Sequence, residues 1–139
     1  MTLEPLLTAS PAIRLHAVAA LAAFVLGLSQ FFLRKGTPRH RVVGYAWSAS
    51  MMVVAAGSFW IHSIKQWQGF SLIHLLSIVV LVTVPLTVHA ARTGRIAKHR
   101  RGMMVLFLGA LVVAGLFTLA PGRIMHDVVF GPARAQAGR

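Results

Sequence analysis

Histidines recur at a nearly fixed spacing in this chain. His16 is followed 58 positions later by His74, and His40 is followed 59 positions later by His99. Each of the four lies near the end of a long apolar segment, where a polar side chain is costly and points to a function. Two imidazoles that face each other at one depth are the axial ligands that a b-type haem uses. The spacing therefore predicts an outer pair, His16 with His74, and an inner pair, His40 with His99, that ligate the iron of one or two haem b groups.

The elements that must position these histidines are membrane-spanning helices. The chain of 139 residues is 57% hydrophobic and 12% charged, with a mean hydropathy of +0.74, whereas soluble domains are about one quarter charged. Its apolar runs approach the roughly 20 residues that a helix needs to cross a bilayer. We therefore expect a single integral membrane domain of the all-α class, residues 1–139. The predicted helices run from about Ala12 to Leu33, Val42 to Ile64, Phe70 to Ala91 and Gly102 to Ala120, between a short N-terminal segment and a C-terminal tail.

Basic residues set the expected orientation in the membrane. Four of the 14 lysines and arginines lie between Arg34 and Arg41, and five lie between Arg92 and Arg101. By the positive-inside rule these loops are cytoplasmic, and both termini are periplasmic in a bacterial inner membrane. Topology and contact with the lipid bilayer explain the net charge of +12, so nucleic acid is not an expected partner. The absence of cysteine excludes disulfides, cysteine-ligated zinc and iron–sulfur clusters.

The second half of the chain repeats the first. The residues that align at an offset of 58 include Arg34 with Arg92, Gly36 with Gly94, and Gly44 with Gly102, and a one-residue insertion near Lys98 shifts His40 onto His99. Each unit is a helix hairpin, so the two copies have the same orientation and form a parallel internal repeat. In an up-down four-helix bundle of two tandem hairpins, the first and third helices are diagonal, as are the second and fourth. This topology brings the members of each histidine pair to one depth.

Arginines near each histidine pair are suited to hold haem propionates by charge-assisted hydrogen bonds. Arg14 and Arg123 accompany the outer pair, and Arg41 and Arg100 accompany the inner pair. His16 lies about 17 residues, or roughly 25 Å of helix, from the inner end of its span, so two cofactor layers fit within one bilayer. The chain is therefore predicted to be a transmembrane b-type haem electron-transfer protein, linked to a quinone or to a larger respiratory assembly.

Other interpretations stay open. His62 is an alternate ligand for the outer pair and His89 for the inner pair, while His126 lies beyond the fourth helix. The glycines near the histidines leave room for a macrocycle or, alternatively, make close helix contacts. Histidines and arginines at helix ends are alternatively interface residues. The protein is then a cofactor-free accessory subunit of a larger membrane complex, with a homo-oligomer as a further alternative.

Four segments carry a resemblance to known proteins. They are LHAVAALAAFVLG, KGTPRHRVVGYAW, FSLIHLLS and KHRRGMM. From about Ile13 to Arg123 the chain resembles a domain-of-unknown-function family of small bacterial inner-membrane proteins. With one of the four paired histidines on each helix it is more distantly similar to the two-haem transmembrane b cytochromes, which include ascorbate-reducible cytochromes and ferric reductases. That similarity implies the same two ligand pairs, although His40 and His99 lie closer to the starts of their helices than the cytochrome pattern requires.

Overall fold

The computed structural model describes residues 3–61 and 72–131, which form helices and turns and contain no strand. The helices are α1 (Glu4–Leu7), α2 (Pro11–Phe32), α3 (Pro38–Gly57), α4 (Leu72–Arg92), α5 (Ile96–Phe117) and α6 (Ile124–Phe130). A 3₁₀ turn, Ser58–Trp60, extends α3. Helix α5 consists of an α-helical start (Ile96–Val105), a π-helical middle (Leu106–Val113) and a last α-helical turn (Ala114–Phe117).

Among the described residues, four helices are long and apolar enough to cross a membrane, namely α2, α3 with its 3₁₀ turn, α4 and α5. The four predicted spans are therefore confirmed. Helix α2 matches its predicted bounds to within one residue, and α4 ends one residue after the predicted Ala91. The predicted ends of the second span and the start of the third, between Ile61 and Leu72, lie outside the described residues.

Two helices begin earlier than predicted. Helix α3 begins at Pro38 rather than near Val42, because the Thr37 hydroxyl accepts a hydrogen bond from the His40 N–H at 3.3 Å and proline fits the first helical turn. Helix α5 begins at Ile96 rather than near Gly102, and it ends at Phe117 rather than Ala120. Its first turns are basic, because lysine and arginine side chains can extend toward water while their backbone remains helical.

Each of the two hairpin turns contains a glycine with a positive φ angle. Gly36, between α2 and α3, has φ of +79°, and Gly94, between α4 and α5, has φ of +74°. Glycine adopts this left-handed conformation without the steric penalty that other residues meet. The two glycines are equivalent in the internal repeat, so the repeated sequence gives both hairpins the same turn.

The four long helices pack in a ring. Helix α2 contacts α3, α3 contacts α4, α4 contacts α5, and the π-helical middle of α5 closes the ring against α2. The described residues make no comparable contact between the diagonal pairs, α2 with α4 and α3 with α5. This arrangement confirms the predicted up-down bundle of two tandem hairpins.

Two short helices that the sequence did not indicate, α1 and α6, contact each other. Their contact places the N-terminal and C-terminal parts of the described chain at one end of the bundle, which we call the terminal end. The turns at residues 33–37 and 93–95 lie at the opposite end, which we call the basic end.

The middle of the bundle is closely packed. A Cβ atom on Gly27 of α2 would lie 2.5 Å from Cδ2 of Phe107 and 2.6 Å from Nε1 of Trp47, so only glycine lets α2 approach these rings. Phe107 also packs on Phe31, with ring centroids 5.4 Å apart. Trp47 and Phe107, which we call the aromatic layer, are buried in the core and fill the space beside Gly27. The buried core around them contains Ala23, Met51, Ala55, Val80, Val84, Leu106 and Leu111.

Candidate functional site

At the terminal end, His16 and His74 lie on the diagonal helices α2 and α4, and both pack against the end of α3. His74 is 5% exposed, and its ring centroid lies 5.5 Å from that of Phe59. His16 is half-buried, and its Nδ1 would lie 3.9 Å from a Cβ atom on Gly57. The predicted outer pair is therefore found at one end of the bundle, beside the end of α3.

A buried pair of serines connects α3 to α4 beside His74. The Ser58 and Ser77 hydroxyls are 2.6 Å apart, and both side chains are buried. The Ser58 hydroxyl also lies 2.7 Å from the Ala55 carbonyl, to which it donates. Because Ser77 lies one turn after His74 on α4, the hydrogen bond between the two serines fixes the part of α4 that presents the histidine.

We expect Ser77→Ala to lower the free energy of unfolding by about 1 kcal/mol, because hydrogen bonds between membrane helices contribute that order of stability. Denaturation of the purified protein in detergent measures this change. Ser50→Ala is the matched control, since the Ser50 hydroxyl donates only to the Ala46 carbonyl of its own helix, at 3.0 Å. A loss for Ser77→Ala no larger than that for Ser50→Ala would contradict a stabilising role for the serine pair.

At the basic end, His99 of α5 is oriented by α4. Its Nδ1 lies 2.9 Å from the Thr87 carbonyl oxygen. A carbonyl can only accept, so Nδ1 carries the proton and the lone pair is on Nε2. This is how a histidine that binds iron is commonly held, because the hydrogen bond on one nitrogen fixes the ring and makes the other nitrogen more basic.

His40 lies on the diagonal helix α3, in its first turn. The Gln30 side chain donates from Nε2 to the His40 backbone carbonyl at 3.1 Å and so ties α2 to α3 at this level. His40 is within electrostatic range of both Lys35 and His99. The predicted inner pair is therefore also found at one end of the bundle, close to the basic turns.

Ring nitrogens without a hydrogen-bond partner occur at both ends of the described bundle. Within residues 3–61 and 72–131, the Nδ1 atoms of His16 and His40 are buried and have no hydrogen-bond partner, and leaving such an atom unpaired costs about 1–3 kcal/mol. Within the described residues no three or more histidine, aspartate or glutamate side chains group to hold a bare metal ion. A haem needs no such group, because one or two axial side chains suffice.

Gly27, Gly44 and Gly102, for which the sequence left open either room for a macrocycle or close helix contact, make helix contacts in this structure. The space beside Gly27 is occupied by the aromatic layer. A Cβ atom on Gly102 would overlap the side chain of Thr87. A Cβ atom on Gly44 would lie 3.5 Å from Nε2 of Gln30. The close-contact alternative therefore describes these three positions.

The predicted arginines lie near the two ends but not in the core. Arg14, Arg41 and Arg100 are exposed, and Arg123 is half-buried at the start of α6. Arg41 is one turn before Tyr45 on α3, and Tyr45 is on the outer surface of the bundle. Arg41 is therefore the least suited of the four to reach a group held between the helices.

The remaining histidines are placed as follows. His62 lies outside the described residues, and His89 is exposed on α4. His126 of α6 pairs with Asp127 at 3.4 Å and packs on Phe130, with ring centroids 5.1 Å apart. His126 thus belongs to the terminal helix rather than to the bundle.

Sequence reasoning missed Gln30, Ser77 and Thr87, which position the histidines or the helices that carry them. Their signal was present, because each is a polar residue inside an apolar span, and such residues usually face the interior of a helix bundle. Only the histidines were selected, since they repeat, whereas Gln30 and Ser77 have no counterpart of the same type in the other half of the chain, and Thr87 holds His99 through its backbone carbonyl.

Comparison with known proteins gives one family. Residues 13–134 match the family model described as "Predicted membrane protein (DUF2306)". No curated protein and no solved structure matches the chain. The match agrees with the resemblance to small predicted membrane proteins, while the similarity to two-haem cytochromes stays a prediction.

Proposed function

The chain belongs to the DUF2306 family of predicted membrane proteins, and from that premise we propose that it is a transmembrane b-type haem electron-transfer protein with bis-histidine sites. The observation that carries the proposal is the placement of two histidine pairs, one at each end of the bundle and each on diagonal helices. The hydrogen bond from His99 to the Thr87 carbonyl, 2.9 Å long, adds support because it leaves Nε2 as the ligating atom.

His16 and His74 would hold the haem of the terminal end, and His40 and His99 that of the basic end. A haem iron bound by imidazoles supplies one-electron transfer. The arginines nearest each end, Arg14 and Arg123 at the terminal end and Arg100 at the basic end, would neutralise the propionates.

The proposed setting is the bacterial inner membrane, with the basic end cytoplasmic and both termini periplasmic. The partner would be a quinone or a larger respiratory assembly that exchanges electrons at one face. The nine basic residues at or beside the two turns support this orientation, since the opposite end has few.

A reduced-minus-oxidised absorbance spectrum of the purified full-length protein tests the proposal. We expect the sharp bands of a low-spin b haem, with one or two haems per chain by pyridine haemochrome. A colourless protein that stays colourless after incubation with haemin would contradict it.

The close filling of Gly27 and Gly102 favours a second candidate, a cofactor-free accessory subunit of a larger membrane complex. In that case the histidines orient helices and contact the interface. For this function we expect a colourless protein that co-purifies with a large membrane complex. The same purification tests both candidates.

A further inference from the structure

The basic end has an excess of positive charge that the chain itself does not neutralise. The lysines and arginines there are Arg34, Lys35, Arg39, Arg41, Arg92, Arg95, Lys98, Arg100 and Arg101. The sequence contains two acidic side chains, Glu4 and Asp127. Both lie in the short helices of the terminal end. The counter-ions of the basic end must therefore come from outside the chain.

One arginine of this group is held in a fixed position. Arg92, at the end of α4, donates from Nε to the Tyr45 hydroxyl at 3.1 Å. Its guanidinium carbon also lies 5.7 Å from the centre of the Tyr45 ring, a cation–π distance. The contact with Tyr45 uses Nε of Arg92. The N–H groups of the two terminal guanidinium nitrogens can therefore donate to the oxygens of a phosphate.

A second arginine lies on the same surface. Arg41 is four residues before Tyr45 on α3, so the two side chains share a face of that helix. Arg41 is exposed and Tyr45 is 48% exposed. Arg41, Tyr45 and Arg92 thus form a polar site on the outer surface between α3 and α4, which we call the arginine–tyrosine site.

The surface next to this site is apolar toward the middle of the membrane. Ala49 lies one turn further along the Tyr45 face of α3 and is exposed. Val82 lies on α4 about three turns before Arg92 and is 55% exposed. A ligand with both an anionic head and a long apolar tail matches such a surface, whereas a soluble anion would use only the head contact.

We propose that the arginine–tyrosine site binds the phosphate of an anionic phospholipid, with an acyl chain lying along the outer surface of α3 and α4. Arg92 and Arg41 donate hydrogen bonds to the phosphate oxygens, and Tyr45 positions Arg92. The site differs from general attraction between basic loops and anionic lipid, because it depends on three particular side chains. It is also independent of any haem.

Native mass spectrometry of the full-length protein in a non-ionic detergent tests the proposal, with phosphatidylglycerol and phosphatidylcholine added at equal concentrations. We expect retention of phosphatidylglycerol in preference to phosphatidylcholine. Arg92→Gln and Arg41→Gln should each weaken that retention about fivefold, the effect of one basic residue at a lipid surface. Arg34→Gln is the matched control, because Arg34 is the repeat counterpart of Arg92 and has the same charge at the same end.

Tyr45→Phe removes the hydroxyl without changing any charge, and we expect it to weaken retention about twofold to fivefold by releasing Arg92. Equal retention of the two lipids overturns the proposal. So does a loss in Arg34→Gln as large as that in Arg92→Gln, which would show diffuse attraction, or an unchanged value in Tyr45→Phe. Displacement of the lipid by an equal concentration of inorganic phosphate would show that the acyl chain contributes nothing, and it also overturns the proposal.

Discussion

Replacing either His74 or His16 by alanine is expected to abolish the haem absorbance of the terminal end. The two histidines lie on diagonal helices at this end of the bundle, so each would supply one side of the iron, and loss of either leaves an incomplete site. Reduced-minus-oxidised spectra and the haem content per folded chain measure the loss. Any absorbance that remains would belong to His40 and His99 at the basic end.

The burial of the His74 side chain determines which control variants this experiment needs. Because His74 is 5% exposed, His74→Ala leaves a cavity that could unfold the protein without any effect on ligation. His74→Gln keeps a polar side chain of similar size and cannot replace imidazole as a ligand. His89→Ala is the matched control, since His89 lies on the same helix and is exposed. Unchanged haem content in monodisperse His74→Gln and His16→Ala protein would refute the assignment.

The two ends hold their histidines in different ways, and this limits what the sequence could predict. At the basic end a hydrogen bond to the Thr87 carbonyl fixes the His99 ring. At the terminal end the His16 and His74 rings pack against the last turn of α3. The repeat predicted which histidines share a depth, because a duplicated hairpin must place equivalent residues at equivalent levels. It could not predict these contacts, because one uses a backbone carbonyl and the others depend on how the end of α3 packs against α2 and α4, which residue types alone do not specify.

The bundle itself followed from the sequence, since length, apolarity and short basic turns leave few arrangements for four helices in a membrane. The starts of α3 and α5 could not be predicted in this way. Hydropathy marks where a segment becomes apolar rather than where its backbone becomes helical. The π-helical middle of α5 was also missed. An added residue in a helical turn depends on packing against neighbouring helices, here through Leu106, Phe107 and Leu111.

Gly102→Ala is expected to lower the free energy of unfolding by about 1–3 kcal/mol, the usual result of overpacking a core. The new methyl group would overlap the side chain of Thr87, which is buried and donates its hydroxyl to the Val84 carbonyl at 2.8 Å. Thr87 therefore cannot turn aside without losing that hydrogen bond. Separation of α4 from α5 would also strain the hydrogen bond between His99 and the Thr87 carbonyl. Denaturation in detergent measures the change.

Gly109→Ala on the same helix is the control, because a Cβ atom there would meet no atom of the described residues within 4 Å. Alanine should stabilise that position by up to about 1 kcal/mol through its higher helix propensity. The pair of variants also separates the two roles considered for the glycines. If Gly102 serves helix contact, Gly102→Ala unfolds more easily while the haem content of the chains that remain folded is unchanged. Loss of haem with an unchanged unfolding midpoint would instead show that Gly102 makes room for the macrocycle, which would contradict its assignment to helix packing.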